Sequence, residues 1–227
     1  MIENLPVWIE LLFVLTFLST LAFFHFSNNK PTLITLIILI WSVLQSIAAY
    51  KGFYRNTSTI PPRFILIFLP TTLFIIFGCL PRNFSWIMKN RNLLYSTLLH
   101  SVRFPVEIVL FYLFSYHMIP QIMTFEGLNF DILVGLIAPI IGLLYWKGKL
   151  SNQLLLLFNV VGLIMVTTIL TIALLSSDLP FQQFGVKQPN RAISYFPFIL
   201  LPAAIVPMVM YTHISDIIKL RLALKKV

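Results

Sequence analysis

Charge is scarce in this 227-residue sequence: Asp, Glu, Lys and Arg together make up 10% of it. A soluble domain carries about a quarter charged residues, so a water-facing globule is excluded. Long hydrophilic stretches are missing too. The two longest, residues 51–63 and 176–191, are too short to bury a core of their own. One cysteine, Cys79, leaves no thiol to pair with, which excludes an internal disulfide and fits a small buried apolar residue. There is no basic domain in which a nucleic-acid site could lie. No lysine lies inside the last apolar run, so a retinal Schiff base is excluded. An HExxH motif, a His pair at i, i+4 and a Cys cluster are all lacking, and no cofactor is expected.

What the chain has in abundance is apolar surface: 59% hydrophobic residues, 15% aromatics and a mean hydropathy of +0.92. Runs of about 17 to 25 apolar residues mark membrane-crossing helices. They fall at residues 8–26, 32–50, 64–80, 92–116, 130–146, 153–175 and 192–213. The expectation is an all-α membrane helix bundle of seven spans in a single transmembrane domain, 1–227, with a short basic tail over 214–227. No Lys or Arg precedes the first run and no small-x-small site follows it, so it reads as a retained helix rather than a cleaved signal.

Basic residues gather on the cytoplasmic side of membrane proteins. With the N-terminus outside, the inner set is Lys30, Arg82, Lys89, Arg91, Lys147, Lys149, Lys219, Arg221, Lys225 and Lys226, and the outer set is Lys51, Arg55, Arg63, Lys187 and Arg191. Ten against five favours N-terminus out and C-terminus in. The net charge of +9 then reads as topology and attraction to anionic membrane lipids.

The fourth span carries His100, Ser101, Arg103 and Glu107 around Pro105. An ionisable side chain in a bilayer costs at least about 2.5 kcal/mol on insertion scales, so it asks for a partner or a job. At about 100° per residue, His100, Arg103 and Glu107 share one helix face. An i, i+4 pair between Arg103 and Glu107 is the economical arrangement, with His100 about one turn nearer the cytoplasm. Pro105 cannot donate to the carbonyl of Ser101 and should kink the helix. The seventh span is broken more severely: Pro197, Pro202 and Pro207 free the carbonyls of Ile193, Phe198 and Ala203, which neighbouring helices or water must meet. Tyr195 and these prolines are candidates for a wall facing the fourth span.

Glu126, Asp131 and Arg191 are candidates for an outer mouth. The apolar loop 117–131 should fold back on the bundle and meet loop 180–191 over that mouth, with Asp131 capping the fifth helix. His25, His100 and His213, with Asp216, form a weak metal candidate; His100 and His213 are an equally weak haem pair.

The strings from His100 to Glu107, from Met123 to Leu133 and from Gln188 to Phe198 resemble those of an uncharacterised group of bacterial seven-helix inner-membrane proteins, as do Gly52-Phe53-Tyr54 and Pro61-Pro62-Arg63. The resemblance implies a bacterial inner membrane and the same helix plan, and no catalytic or binding residue. Three functions stay open. A small-solute or proton-coupled transporter would use Glu107 as the titrating group and Arg103 as its counter-ion, with a small molecule or a proton as ligand. A membrane-embedded enzyme acting on a lipid or isoprenoid would use His100 with Glu107 or Glu126, or a His-rich metal site. A structural or partner-binding subunit would use the charges only for packing.

Overall fold

The computed structural model describes residues 2–57 and 59–225; among them every regular element is a helix and there is no strand. Helix α1, Val7–Ser27, starts after Pro6 and ends where the Asn28 side chain donates to the Phe24 carbonyl at 2.8 Å. Asn29 and Lys30 then take positive φ, and Pro31 leads into α2, Thr32–Tyr50. Helix α3, Ile65–Gly78, bends by 59° into α4, Phe84–Asn90, across the turn at Pro81. The fourth span is α5, Leu93–Leu99, a 3-10 turn at His100–Val102, and α6, Arg103–Ser115. The tight turn lies just before Pro105, the residue without an N–H for the helical ladder. Helices α7, Asp131–Trp146, and α8, Asn152–Leu175, follow. A π turn at Leu201–Ile205 opens α9, Val206–Leu224.

Among the described residues, five helical stretches are long and apolar enough to cross a membrane, or six when the bent α3–α4 pair counts as one span. Helix α7, with 16 residues, falls short of that length. It rises about 24 Å against a hydrocarbon core of about 30 Å. The bundle is apolar outside and holds a buried charged network within an otherwise apolar core. Leu11, Leu15 and Leu18 on α1 and Leu36, Ile40 and Leu44 on α2 are exposed, whereas Arg91, His100, Arg103, Glu107, His213 and Asp216 are buried. Such apolar exposure suits a lipid solvent and would be an aggregation hazard in water.

Close packing comes from small residues. On α7, Gly135, Ala138 and Gly142 are buried, and a Cβ on Gly135 would sit 3.0 Å from the Cα of Phe104. Small residues let helix backbones approach in this way, and the approach brings the start of α7 against the start of α6.

The last of the expected spans differs most from expectation. It runs Leu201–Leu224 in place of 192–213, so the expected basic tail is helical as far as Leu224; Lys226 and Val227 lie outside the described residues. Tyr195 and Pro197 fall before the helix, in non-helical chain. The proline-freed carbonyls are met locally and by a neighbour. That of Phe198 accepts from the Leu201 N–H at 3.0 Å, and that of Ala203 accepts from the Trp41 indole on α2 at 3.1 Å. This shift places His213 at the middle of a span rather than at its end.

The loops sort to two ends. At one, Met118 accepts from the N–H groups of Arg191 and Ala192, Gln188 donates to the carbonyls of Phe114 and Ile119, and the Arg55 guanidinium lies 4.5 Å from the centre of the Tyr195 ring. At the other, Asn92 donates to the Ser27 carbonyl and Asn29 to the Asn90 side chain.

Candidate functional site

Arg103, the first residue of α6, does not pair with Glu107. Its Nε donates to Asp131 Oδ2 at 2.9 Å and its Nη2 to Asp131 Oδ1, a two-pronged pair in which both side chains are almost fully buried. A guanidinium and a carboxylate match in this fork geometry. Asp131 therefore belongs to the core rather than to an outer mouth, and its oxygens serve Arg103 instead of capping α7. Its own N–H donates to Asn129 Oδ1 at 3.2 Å.

The remaining Arg103 nitrogen, Nη1, donates to the Gly162 carbonyl at 3.3 Å and meets His213 Nε2 at 3.2 Å. Arginine has no acceptor to offer, so Nε2 must carry the lone pair. The proton then sits on Nδ1, which donates to Asn159 Oδ1 at 2.9 Å; the Asn159 amide is oriented by donating to the Leu155 carbonyl at 3.0 Å. His213 is held as one tautomer. His100 stacks on it with ring centres 3.6 Å apart and planes 7° from parallel, and neither nitrogen of the buried His100 ring has a hydrogen-bond partner. Imidazole lone pairs lie in the ring plane, so two parallel rings at this spacing do not converge on one ion. The haem pairing and the shared metal site are thereby corrected. His25 is elsewhere, bonded through Nδ1 to Thr35 at 2.8 Å, and no group of three His, Cys, Asp or Glu among the described residues is placed to hold a metal.

Gly162 makes room for this arrangement. A Cβ there would lie 2.7 Å from His213 Nε2 and 3.4 Å from Arg103 Nη1. The ring is fixed between Asn159, Arg103 and His100, so it has no free direction in which to yield. Gly162→Ala is expected to destabilise the protein by about 1–3 kcal/mol, read as a lowered midpoint in an SDS titration in mixed micelles. An unchanged midpoint would show that the ring moves freely.

Glu107, one turn further along α6, accepts from Asn129 Nδ2 through Oε1, and Asn129 also donates to the Met123 carbonyl at 3.1 Å. Glu107 Oε2 is buried and accepts nothing from the protein. Glu107 lines a cavity of about 70 Å³ between α6, α8 and the π turn, together with Asn129, Asp131, Asn190 and Pro202 among aliphatic side chains. That volume holds more than one water.

A second cluster joins the end of α1, the α4–α5 connection and α9. Arg91 Nε donates to Asp216 Oδ1 at 2.6 Å, both side chains having no exposure, while Arg91 also donates to Asn28 Oδ1 at 2.8 Å and to the Thr212 carbonyl at 3.1 Å. Lys219 Nζ donates to the carbonyls of Arg91 and Met88 at 2.6 and 3.0 Å. Arg91 is thus more than an orienting surface charge.

Residues 60–221 match the family described as Domain of unknown function (DUF8737). The chain belongs to that family. The DUF8737 match includes Arg91, His100, Arg103, Glu107, Asn129, Asp131, Asn159, Gly162, Asn190, His213 and Asp216. No curated protein and no solved structure matches the chain.

Other expected positions separate from the site. Ser101 turns back to the Leu98 carbonyl at 2.7 Å. Glu126 is exposed, and Arg191 sits 3.8 Å from Asp178 with both side chains more than half exposed, so these two do not form a mouth with Asp131. Of the proposed wall, Pro202 lines the Glu107 cavity and Pro207 a separate apolar one. Asn129, Asn159 and Asn190 went unnoticed in the sequence. Asn159 had a signal: it is a buried amide deep in a 24-residue apolar helix.

Proposed function

We propose that this DUF8737 chain is a multi-pass protein of the bacterial inner membrane, N-terminus out and C-terminus in, that carries a small solute in exchange with or alongside a proton. Seven crossings follow if α3–α4 is one broken span and α7 a short one. The clustering of residues 53–55, 114–119 and 188–195 at one end, opposite the Ser27, Asn90 and Lys219 end, supports that count.

The observation that carries the transport reading is the unpartnered oxygen of Glu107, a residue that lines the cavity. A buried carboxylate without a partner costs several kcal/mol unless it takes a proton or a cation. The charged groups in electrostatic reach are Asp131 and Arg103, and these neutralise one another, which leaves Glu107 as the group free to exchange. Arg103 is the structural counter-ion of Asp131, and Glu107 is the working carboxylate. The broken start of α9 beside it is the kind of discontinuous helix that builds transport sites.

The test is proton flux in vesicles containing a trapped pH dye and purified protein, with sugars, amino acids, carboxylates and ammonium compounds added in turn. At least one class should move protons through the native protein, and Glu107→Gln should abolish this while keeping the native melting temperature. Equal flux through a well-folded Glu107→Gln protein, or no response to any class, would sink the reading.

A further inference from the structure

Two residues that line the Glu107 cavity each carry a buried side-chain oxygen with no protein partner, and an ionised carboxylate and an amide oxygen are both acceptors. Glu107 Oε2 is one. Asn190 Oδ1 is the other: its amide orientation is fixed because Nδ2 donates to the Ala173 carbonyl at 3.2 Å, which leaves the oxygen free. The two residues are 1% and 2% exposed, so neither oxygen has bulk water to fall back on. The rest of the wall is aliphatic, including Val106, Leu110, Ile169 and Leu170. Asn129, the other amide on the wall, has both ends engaged, since its nitrogen serves Glu107 and the Met123 carbonyl and its oxygen serves the Asp131 N–H.

The charge balance points the same way. Arg103 and Asp131 cancel in their fork, and ionised Glu107 adds one negative charge that no protein cation contacts. A wall with two free acceptors and one net negative charge is complementary to a cation that carries N–H donors. A hard metal ion wants six or more oxygens, far more than this wall leaves free. We infer that the cavity binds a primary alkylammonium, its head donating to Glu107 Oε2 and Asn190 Oδ1 and its carbon chain lying along the aliphatic wall. The wall reaches Phe68 on α3 and Leu170 and Leu174 on α8, all half-buried, so the chain has an apolar route toward the lipid-facing surface.

This inference rests on Glu107 as the working carboxylate, and it is tested by binding rather than by flux. Purified protein in nanodiscs is titrated calorimetrically with n-propylammonium, tetramethylammonium and sodium chlorides. Propylammonium should bind at least about tenfold tighter than tetramethylammonium, which has the charge but no donor, because a hydrogen bond to a charged group contributes about 1.5–3 kcal/mol. Glu107→Gln should weaken propylammonium by more than tenfold, and Asn190→Leu by about tenfold, each judged on protein with the native melting temperature. Equal affinity for the two organic cations, displacement by millimolar sodium, or native affinity in a folded Asn190→Leu protein would overturn the assignment. The two proposals fail separately. If propylammonium binds as described while no solute moves protons in vesicles, the carrier reading falls and the site stands. If another solute drives Glu107-dependent flux and propylammonium does not bind, the ligand class falls and the carrier stands.

Discussion

Arg91→Ala should lower stability by about 3–5 kcal/mol, the cost of stranding one member of a fully buried ion pair. Asp216 would lose the cation it contacts in a site without solvent exposure, keeping only the more distant charge of Lys219, and the Asn28 oxygen and Thr212 carbonyl would each lose a donor. Those contacts tie the end of α1, the α4–α5 connection and α9 together, so the loss is spread over three elements. Arg91→Lys keeps the charge and cannot reproduce a fork that bonds Asp216, Asn28 and Thr212 at once, and it should fall between the two. SDS titration in mixed micelles reads the midpoints. A native midpoint for Arg91→Ala would mean that Asp216 is satisfied by something other than the arginine.

Arg103→Ala should be comparably damaging, again about 3–5 kcal/mol. Here the stranded charge is Asp131, and the Gly162 carbonyl and His213 Nε2 lose their donor as well. The decisive comparison is the double variant Arg103→Met with Asp131→Asn. Removing both charges leaves no unpaired ion, so the double variant should recover most of the loss of Arg103→Ala, a coupling typical of residues in direct contact. If Arg103 were instead the partner of Glu107, Glu107→Gln would be the substitution that rescues Arg103→Ala, and Asp131→Asn would not. The same SDS titration separates the two pairings.

The contrast between these pairings shows where sequence reading stops. Glu107 is four residues from Arg103 and on the same helix face, so helix geometry alone makes it the natural partner. Asp131 is 28 residues away, and nothing local ranks it higher. What decides is the approach of α7 to α6 at Gly135, which puts a carboxylate with both oxygens toward the guanidinium fork. Glu107 is then released to Asn129 and the cavity. The histidines tell a related story. A span ending at residue 213 makes His213 terminal and the basic residues after it a tail. Thr212, His213, Ser215, Asp216 and Leu220 are all buried along a helix that continues to Leu224, and the tail is largely helix facing helix. A polar stripe at helical spacing beyond His213 was the available signal.

The sequence by itself determined the solvent of this protein and the broad positions of its helices, since hydropathy and helical period are properties of local stretches of chain. It also determined that the fourth span would be broken near Pro105 and that the proline-rich segment would need outside hydrogen-bond donors, because a missing N–H is a fact of covalent structure. Only the tertiary structure decided who meets whom. Asp131 faces Arg103, Asp216 faces Arg91, His100 lies on His213, and Trp41 reaches the Ala203 carbonyl, each across elements far apart in the chain. Buried polar groups take whichever partner the packing of small residues brings within about 3 Å. In a chain with so few charges, those choices fix which carboxylates meet an arginine, Asp131 and Asp216, and which, Glu107, does not.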